Sequence, residues 1–218
     1  MRAAAFERLE DVVLDELFPE VDLALRRGRH IGREDDAAYH LLLDGQVLLE
    51  AFYARYGCEL VHRSEGYFYL LPSGDRLGRT HLRAGDMLVG QALALLYLEP
   101  ATLQRGGLVT RADLLGRLDM LVGADAFART GRNRSGKKLD ERVAEETVRT
   151  KVAESLRTLE GLGFVDLRDG DQIRLRPSLF RFTDPVRGRE DLVRALERLA
   201  REGEVAIEPT VESPEEEA

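Results

Sequence analysis

Gly163-Phe-Val-Asp-Leu-Arg-Asp-Gly-Asp-Gln-Ile-Arg-Leu-Arg-Pro177 is the stretch on which the fold turns. Two short alternating runs, 164–168 and 172–176, flank Asp169-Gly170-Asp171. An Asp-Gly turn between alternating strands is the strongest local signal for a β-hairpin. Val165, Leu167, Ile173 and Leu175 are expected on the inward face, which puts Arg168, Arg174 and Arg176 on the other. Gly163 stops the helix before the hairpin and Pro177 closes it. The same order occurs once earlier: Gly57, a strand over 58–62, a turn at Ser64-Glu65-Gly66, a strand over 67–71, then Pro72. The glycine-to-proline distances are 15 and 14 residues. Helical segments precede each hairpin. Helices followed by a two-stranded wing describe a winged helix, a variant of helix-turn-helix. The chain therefore reads as mainly α with small β-hairpin wings (α+β), two winged helices in tandem.

Nearer the N-terminus, Leu9, Val12, Val13 and Leu17 predict a short helix over 6–17. Pro19 opens a second helix that ends near Gly28. Arg29-His30-Ile31-Gly32 reads as a glycine-bounded loop, and Asp35 or Asp36 caps the next helix. Residues 37–56 read as one helix, apolar on most sides and so buried. A further helix covers 82–99. Thr110, with Asp113 three residues on, caps a helix over 111–122. Residues 129–138 are polar and contain glycine, a loop. In the long helix over 139–162, Val148, Val152, Leu156 and Leu159 form the apolar stripe. Leu192, Val193, Leu196 and Leu199 mark a last amphipathic helix over 189–202. The expected organisation is an N-terminal winged helix (1–80), a C-terminal winged helix (81–182), a C-terminal helix (183–204) and an acidic tail (205–218).

Of 218 residues, 44% are apolar and 33% charged, which excludes a disordered or fibrous chain. The lone Cys58 excludes an internal disulfide and fits a reducing, cytosolic setting. No leader is visible in the first residues, and the most apolar run, Met87–Leu98, has 12 residues against the roughly 18 of a membrane span. The net charge of −8 is an end effect. Seven glutamates and no basic residue lie between Glu202 and the C-terminus, leaving 33 acids against 32 bases in residues 1–201. A low pI therefore does not exclude nucleic acid; the distribution of charge decides.

No nucleophile elbow, phosphate-binding glycine loop, dinucleotide fingerprint or zinc-protease motif occurs. Cys58 and His62 share a strand face, but four residues span about 13 Å at ~3.3 Å each, too far for one metal ion. We expect no catalysis, no cofactor and no metal. The charge pattern points instead to phosphates. Between Arg129 and Arg157 nine basic residues face five acids. The densest part holds Arg132, Arg134, Lys137 and Lys138, followed on the long helix by Arg142, Arg149, Lys151 and Arg157. With Arg168, Arg174 and Arg176 of the wing these form the candidate DNA surface, touching backbone and not reading bases. Glu145, Glu146 and Glu160 dilute the long helix, which argues against base-specific readout and against the rival reading, a free-standing transcription regulator.

Tyr67, Phe68 and Tyr69 fall on both faces of the first hairpin, more apolar surface than one small unit buries. An oligomer or partner would use the excess, unless the second half covers it. Arg29, His30 and Ile31 stand in the conspicuous glycine-bounded loop and are candidate partner contacts, or else a packed turn between the halves.

Phe18-Pro-Glu-Val-Asp-Leu-Ala-Leu-Arg26 followed by Gly28-Arg-His-Ile-Gly32 resembles the start of the MukE family. The likeness continues through Phe52-Tyr-Ala-Arg-Tyr56, Glu65-Gly-Tyr-Phe-Tyr-Leu70, Asp86-Met-Leu-Val-Gly90 and Leu96-Tyr-Leu98, then Ser155-Leu156, Leu162-Gly163 and Ser178-Leu-Phe-Arg-Phe182. It spans about residues 18–205 and ends with the acidic tail. The resemblance implies a homodimeric tandem winged-helix "kite" subunit of a MukBEF-type condensin. Such a subunit binds the MukF-like kleisin and, through it, the MukB-like SMC ATPase. It contributes to DNA clamping and chromosome segregation at the nucleoid, and has no catalysis of its own.

Overall fold

The computed structural model describes residues 6–73, 81–122 and 141–183. The first half runs α1 (Leu9–Val13), α2 (Phe18–Arg26), β1 (Ile31–Gly32), α3 (Asp36–Asp44), α4 (Gln46–Ala54), β2 (Cys58–Arg63) and β3 (Tyr67–Pro72). The second runs α5 (Ala84–Tyr97), α6 (Pro100–Gln104), β4 (Leu108–Thr110), α7 (Arg111–Val122), α8 (Glu141–Gly161), β5 (Val165–Leu167) and β6 (Gln172–Leu175). A 3-10 segment, Pro177–Phe182, follows. Each half carries a three-stranded antiparallel sheet in which a short early strand pairs with the returning arm of the hairpin: β1-β3-β2 and β4-β6-β5.

Both hairpins stand where the turn chemistry puts them. Gly66 and Gly170 take φ +90° and +71°, and Asp171 follows at +64°. Such left-handed backbone is what a tight hairpin turn demands. The registers, Val61 opposite Tyr69 and Leu167 opposite Ile173, follow. The third strands were not expected. Ile31 pairs with Phe68 and Val109 with Ile173, so each glycine-rich loop before a helix doubles as a sheet edge.

Two helical expectations are corrected. The segment 6–17 is helical only over Leu9–Val13. The segment 37–56 is two helices broken at Gly45, not one. A side chain at Gly45 would crowd Val12 and the Leu41 carbonyl, so glycine lets α1 pack closely at the break. The break also leaves Val47 exposed, so that run is less buried than its composition suggests. The caps expected at α2 and α7 agree. Pro19 sits in the first turn of α2. Thr110 Oγ1 accepts the Asp113 N–H (3.1 Å), while the Asp113 carboxylate accepts the Thr110 N–H (2.8 Å). The expected helix over 189–202, the loop 129–138 and the acidic tail lie outside the described residues.

Two apolar clusters result. The first gathers Val12, Phe18, Leu25, Leu42, Leu49, Tyr53 and Phe68. The second gathers Val89, Leu93, Leu114, Leu156, Leu159, Ile173 and Phe182 around α5 and α8. Inside the second, Ser155 donates a 2.6 Å hydrogen bond to buried Asp86, tying α8 to α5. Gly90 makes room for the ring of Phe182 at the same crossing.

Candidate functional site

Two features decide what this molecule can touch: the seam between the halves, and the face of the second wing. The seam starts at Gly163, where φ is +74° and a side chain would run into the His30 carbonyl. That close approach brings the 29–32 loop onto the end of α8. The His30 backbone N–H donates to the Leu162 carbonyl (2.8 Å), and so does its Nδ1 (3.0 Å). With the proton on Nδ1, Nε2 accepts from Arg181 at 2.9 Å. The Arg181 guanidinium lies 4.1 Å from the centroid of the Tyr69 ring. Burial, reinforced by the Arg181 charge, pushes the His30 pKa down to about 3, so the ring is neutral at physiological pH. Phe164 and Tyr69 flank it at 4.4 and 5.3 Å between centroids.

Charge completes the seam. Arg29 donates to the Glu160 and Gly161 carbonyls (3.2 and 3.3 Å) and to Asp35 (3.3 Å). Asp35 does not cap α3 with its side chain. It accepts the Gly32 N–H at 3.1 Å and Arg176 Nη1 at 2.7 Å. Arg176 reaches Asp166 as well, at 2.5 and 2.9 Å. Burial alone would lower the pKa of Arg176, but the hydrogen bonds it donates to Asp166 and Asp35 carry it above its usual value. Its side chain is only 7% exposed.

The candidate partner residues are therefore placed inside the chain. His30, Ile31, Tyr67, Phe68 and Tyr69 are all buried, Tyr67 and Phe68 completely, and Arg29 is spent on seam carbonyls and Asp35. Of the two readings of the 29–31 loop, the packed turn between the halves is the one realised. Beside it an apolar cavity of about 520 Å³ is lined by Leu25, Leu70, Leu82, Met87, Phe164 and Phe182. Apolar side chains that do face out include Leu14, just past α1, and Leu23 on α2, with Val47, Leu103 and Met120 elsewhere. Leu17 and Leu23 line a wide surface hollow of about 810 Å³. The sequence signal for these was the helical spacing itself, with leucines on more than one face.

The candidate DNA residues divide. Arg149 and Arg157 are exposed on α8 and Lys151 half-buried; Arg168 and Arg174 are exposed on the wing. Arg132, Arg134, Lys137 and Lys138 lie outside the described residues, as does the side chain of Arg142. Arg176 is a correction. Strand alternation gives it the face of Arg174, as expected, but at the base of the hairpin that face abuts the first half, and Asp35 and Asp166 consume the guanidinium. Arg168, Arg174 and Arg176 share a polar cavity of about 450 Å³ with Glu34, Glu160 and Asp166. Glu160 accepts the Leu167 N–H at 3.0 Å. As for the Cys58 and His62 pair, Cys58 is buried, with its thiol directed at the Tyr56 carbonyl. His62 stacks on Phe68 at 4.0 Å and meets the Tyr39 hydroxyl at 3.1 Å. Among the described residues no helix is long and apolar enough to cross a membrane.

Two helix–hairpin units of identical strand order, joined by a buried seam, define a tandem winged-helix protein. The model of the MukE-like family matches residues 6–218. The chain belongs to that family. It is 40% identical over 210 residues to the chromosome partition protein MukE of Vibrio vulnificus (strain YJ016), covering 94% of this chain and 89% of that protein. Against the Escherichia coli (strain K12) protein of the same name, identity is 39% over 201 residues, with 90% and 84% covered. Against that of Aliivibrio salmonicida (strain LFI1238) it is 38% over 211 residues, with 95% and 87% covered.

Proposed function

We propose that this chain is the non-catalytic kite subunit of a bacterial SMC–kleisin condensin and acts in chromosome partition. The observation that carries the reading is the family match along nearly the whole chain, to relatives named for that process. The tandem winged-helix fold supports it. As a homodimer the subunit holds an extended segment of a MukF-like kleisin, and through it joins a MukB-like SMC ATPase, in the cytoplasm at the nucleoid. The apolar cavity beside the seam suits such a segment, and the exposed leucines at α1 and α2 suit a second copy. The organisation we propose is a winged helix over 1–80 and another over 81–182, in line with the two apolar clusters, then a helix over 183–204 and the tail.

Its contribution to DNA clamping is electrostatic. Arg149, Lys151, Arg157, Arg168 and Arg174 offer charge to phosphates, joined by Arg142 and the basic residues 132–138. A regulator that reads operators is not favoured, because Glu146, Glu154 and Glu160 share α8 with these cations. The test is retention of duplexes across a salt series, with and without the kleisin. Random and designed sequences are expected to bind alike and weakly, with affinity falling steeply as salt rises. Strong preference for one sequence at physiological salt would replace this reading with the regulator. A chain that co-purifies with the SMC ATPase without the kleisin would contradict the proposed bridge.

A further inference from the structure

Glu34 and Asp35, from the first half, sit on the arginine face of the second wing. Asp35 holds Arg176 at 2.7 Å, and Glu34 lines the cavity that Arg168 and Arg174 share. Carboxylate on guanidinium is the same charge-assisted, planar recognition that a phosphate oxygen would make. We infer that the first winged helix masks the phosphate-binding face of the second, its two carboxylates occupying ground that a nucleic-acid backbone would otherwise take. The inference rests on the phosphate-contact reading above and adds a control to it.

The local charge count supports the mask. Three arginines on this face meet four carboxylates, two from each half: Glu34 and Asp35 from the first, Glu160 and Asp166 from the second. With the first pair withdrawn, arginines outnumber carboxylates and Arg176 loses its cross-half partner. The His30 backbone on Leu162 holds the halves together independently of the mask, and Arg29, itself bonded to Asp35, adds the carbonyls of Glu160 and Gly161. Masking is therefore a property of how the halves are docked. A docked molecule presents Arg168 and Arg174 beside acids, and an undocked one presents three arginines together.

The test uses the full chain with Glu34→Gln alone and with Glu34→Gln/Asp35→Ser. Serine keeps an oxygen for the Gly32 N–H, which Asp35 now satisfies. Glu34 is exposed, so the single variant is informative even where the double variant is unstable. Glu7→Gln/Glu16→Gln, at two exposed positions of the first half that line neither the wing cavity nor the hollow beside Asp35, removes the same charge. Phenylglyoxal labelling followed by peptide mass mapping reads Arg176 without DNA. Anisotropy on a random duplex of about 30 base pairs reads phosphate binding between about 50 and 200 mM salt. The double variant should label Arg176 several-fold faster and bind the duplex about fivefold tighter at low salt, with a steeper salt slope. The single variant should show a smaller gain in affinity, and the charge control neither effect. Arg176 protected equally in the double variant and the parent overturns the mask. So does a gain in affinity no larger than that of the charge control. If Arg176 is unmasked yet no form of the chain retains the duplex at low salt, the phosphate-contact reading itself falls, and the mask falls with it.

Discussion

Gly163 and Gly170 share a left-handed backbone, φ +74° and +71°, yet a methyl group would meet different surroundings. At Gly170 there is nothing within 4 Å; at Gly163 there is the His30 carbonyl. Gly170→Ala should cost only the backbone penalty, about 1 kcal/mol. Gly163→Ala adds a clash with main chain that cannot swing away, and should cost about 3 kcal/mol or more. Urea denaturation of the two variants checks the contrast, and equal costs would mean that the halves do not meet at Gly163. His30 makes a second prediction at this scale. Its folded pKa of about 3 lies below the ordinary value of 6.5, so its contribution is full above pH 6.5 and is lost as pH falls toward 3. From pH 7 to pH 5 stability should drop by about 2 kcal/mol from this residue. Chemical denaturation at both pH values measures the drop, and His30→Gln should flatten it. An unchanged slope in that variant would contradict the buried neutral imidazole.

Helix α7 and helix α8 carry the tests at the level of elements. The reciprocal Thr110–Asp113 bonds hold the Asp113 carboxyl below its usual range and satisfy donors at the start of α7. Thr110→Ala should cost about 1 kcal/mol in thermal or urea unfolding, whereas no loss would deny the cap its role. On α8, exposed Arg157 is a phosphate contact in this account. Arg157→Ala should weaken duplex binding equally across sequences and reduce the salt slope by about 1. Loss confined to one sequence would mean base readout. The elements themselves were largely legible in the sequence. Two Asp/Glu-Gly turns between β-branched and aromatic runs announced both wings, and Pro19 and Thr110 announced helix starts. What escaped was either too short or not local. Ile31–Gly32 and Leu108–Thr110 hold two and three residues, too few for an alternating pattern. The break at Gly45 was marked only by Asp44-Gly45-Gln46, three non-apolar residues between two leucine-rich runs, a spacing that one continuous helix also accommodates. Strand alternation gave Arg176 the right face, but its burial depends on Asp35, 141 residues away.

For the molecule as a whole, the residues that looked most like a partner surface turned out to be packed within the chain, Phe68 in the first core and Arg29, His30 and Tyr69 against the second half. Aromatic excess in a hairpin signals that something covers it, and the sequence carries no sign of whether that cover comes from the same chain. Here it does: Phe164 and Arg181 pack on His30, and Arg181 on Tyr69. Exposed apolar side chains include Val47, Leu103 and Met120 besides Leu14 and Leu23; for the proposed second copy on the last two, Leu14→Glu/Leu23→Glu is expected to shift the chain toward monomer in analytical ultracentrifugation without unfolding it. The role proposed for this chain is that of a dimeric subunit that holds a kleisin. Size-exclusion chromatography with light scattering, on the chain alone and mixed with its cognate kleisin, tests it most directly. The expected result is a species of twice the 24.5 kDa chain mass that moves wholly into a larger, stable complex when the kleisin is added. A chain whose mass and elution are untouched by the kleisin would contradict it.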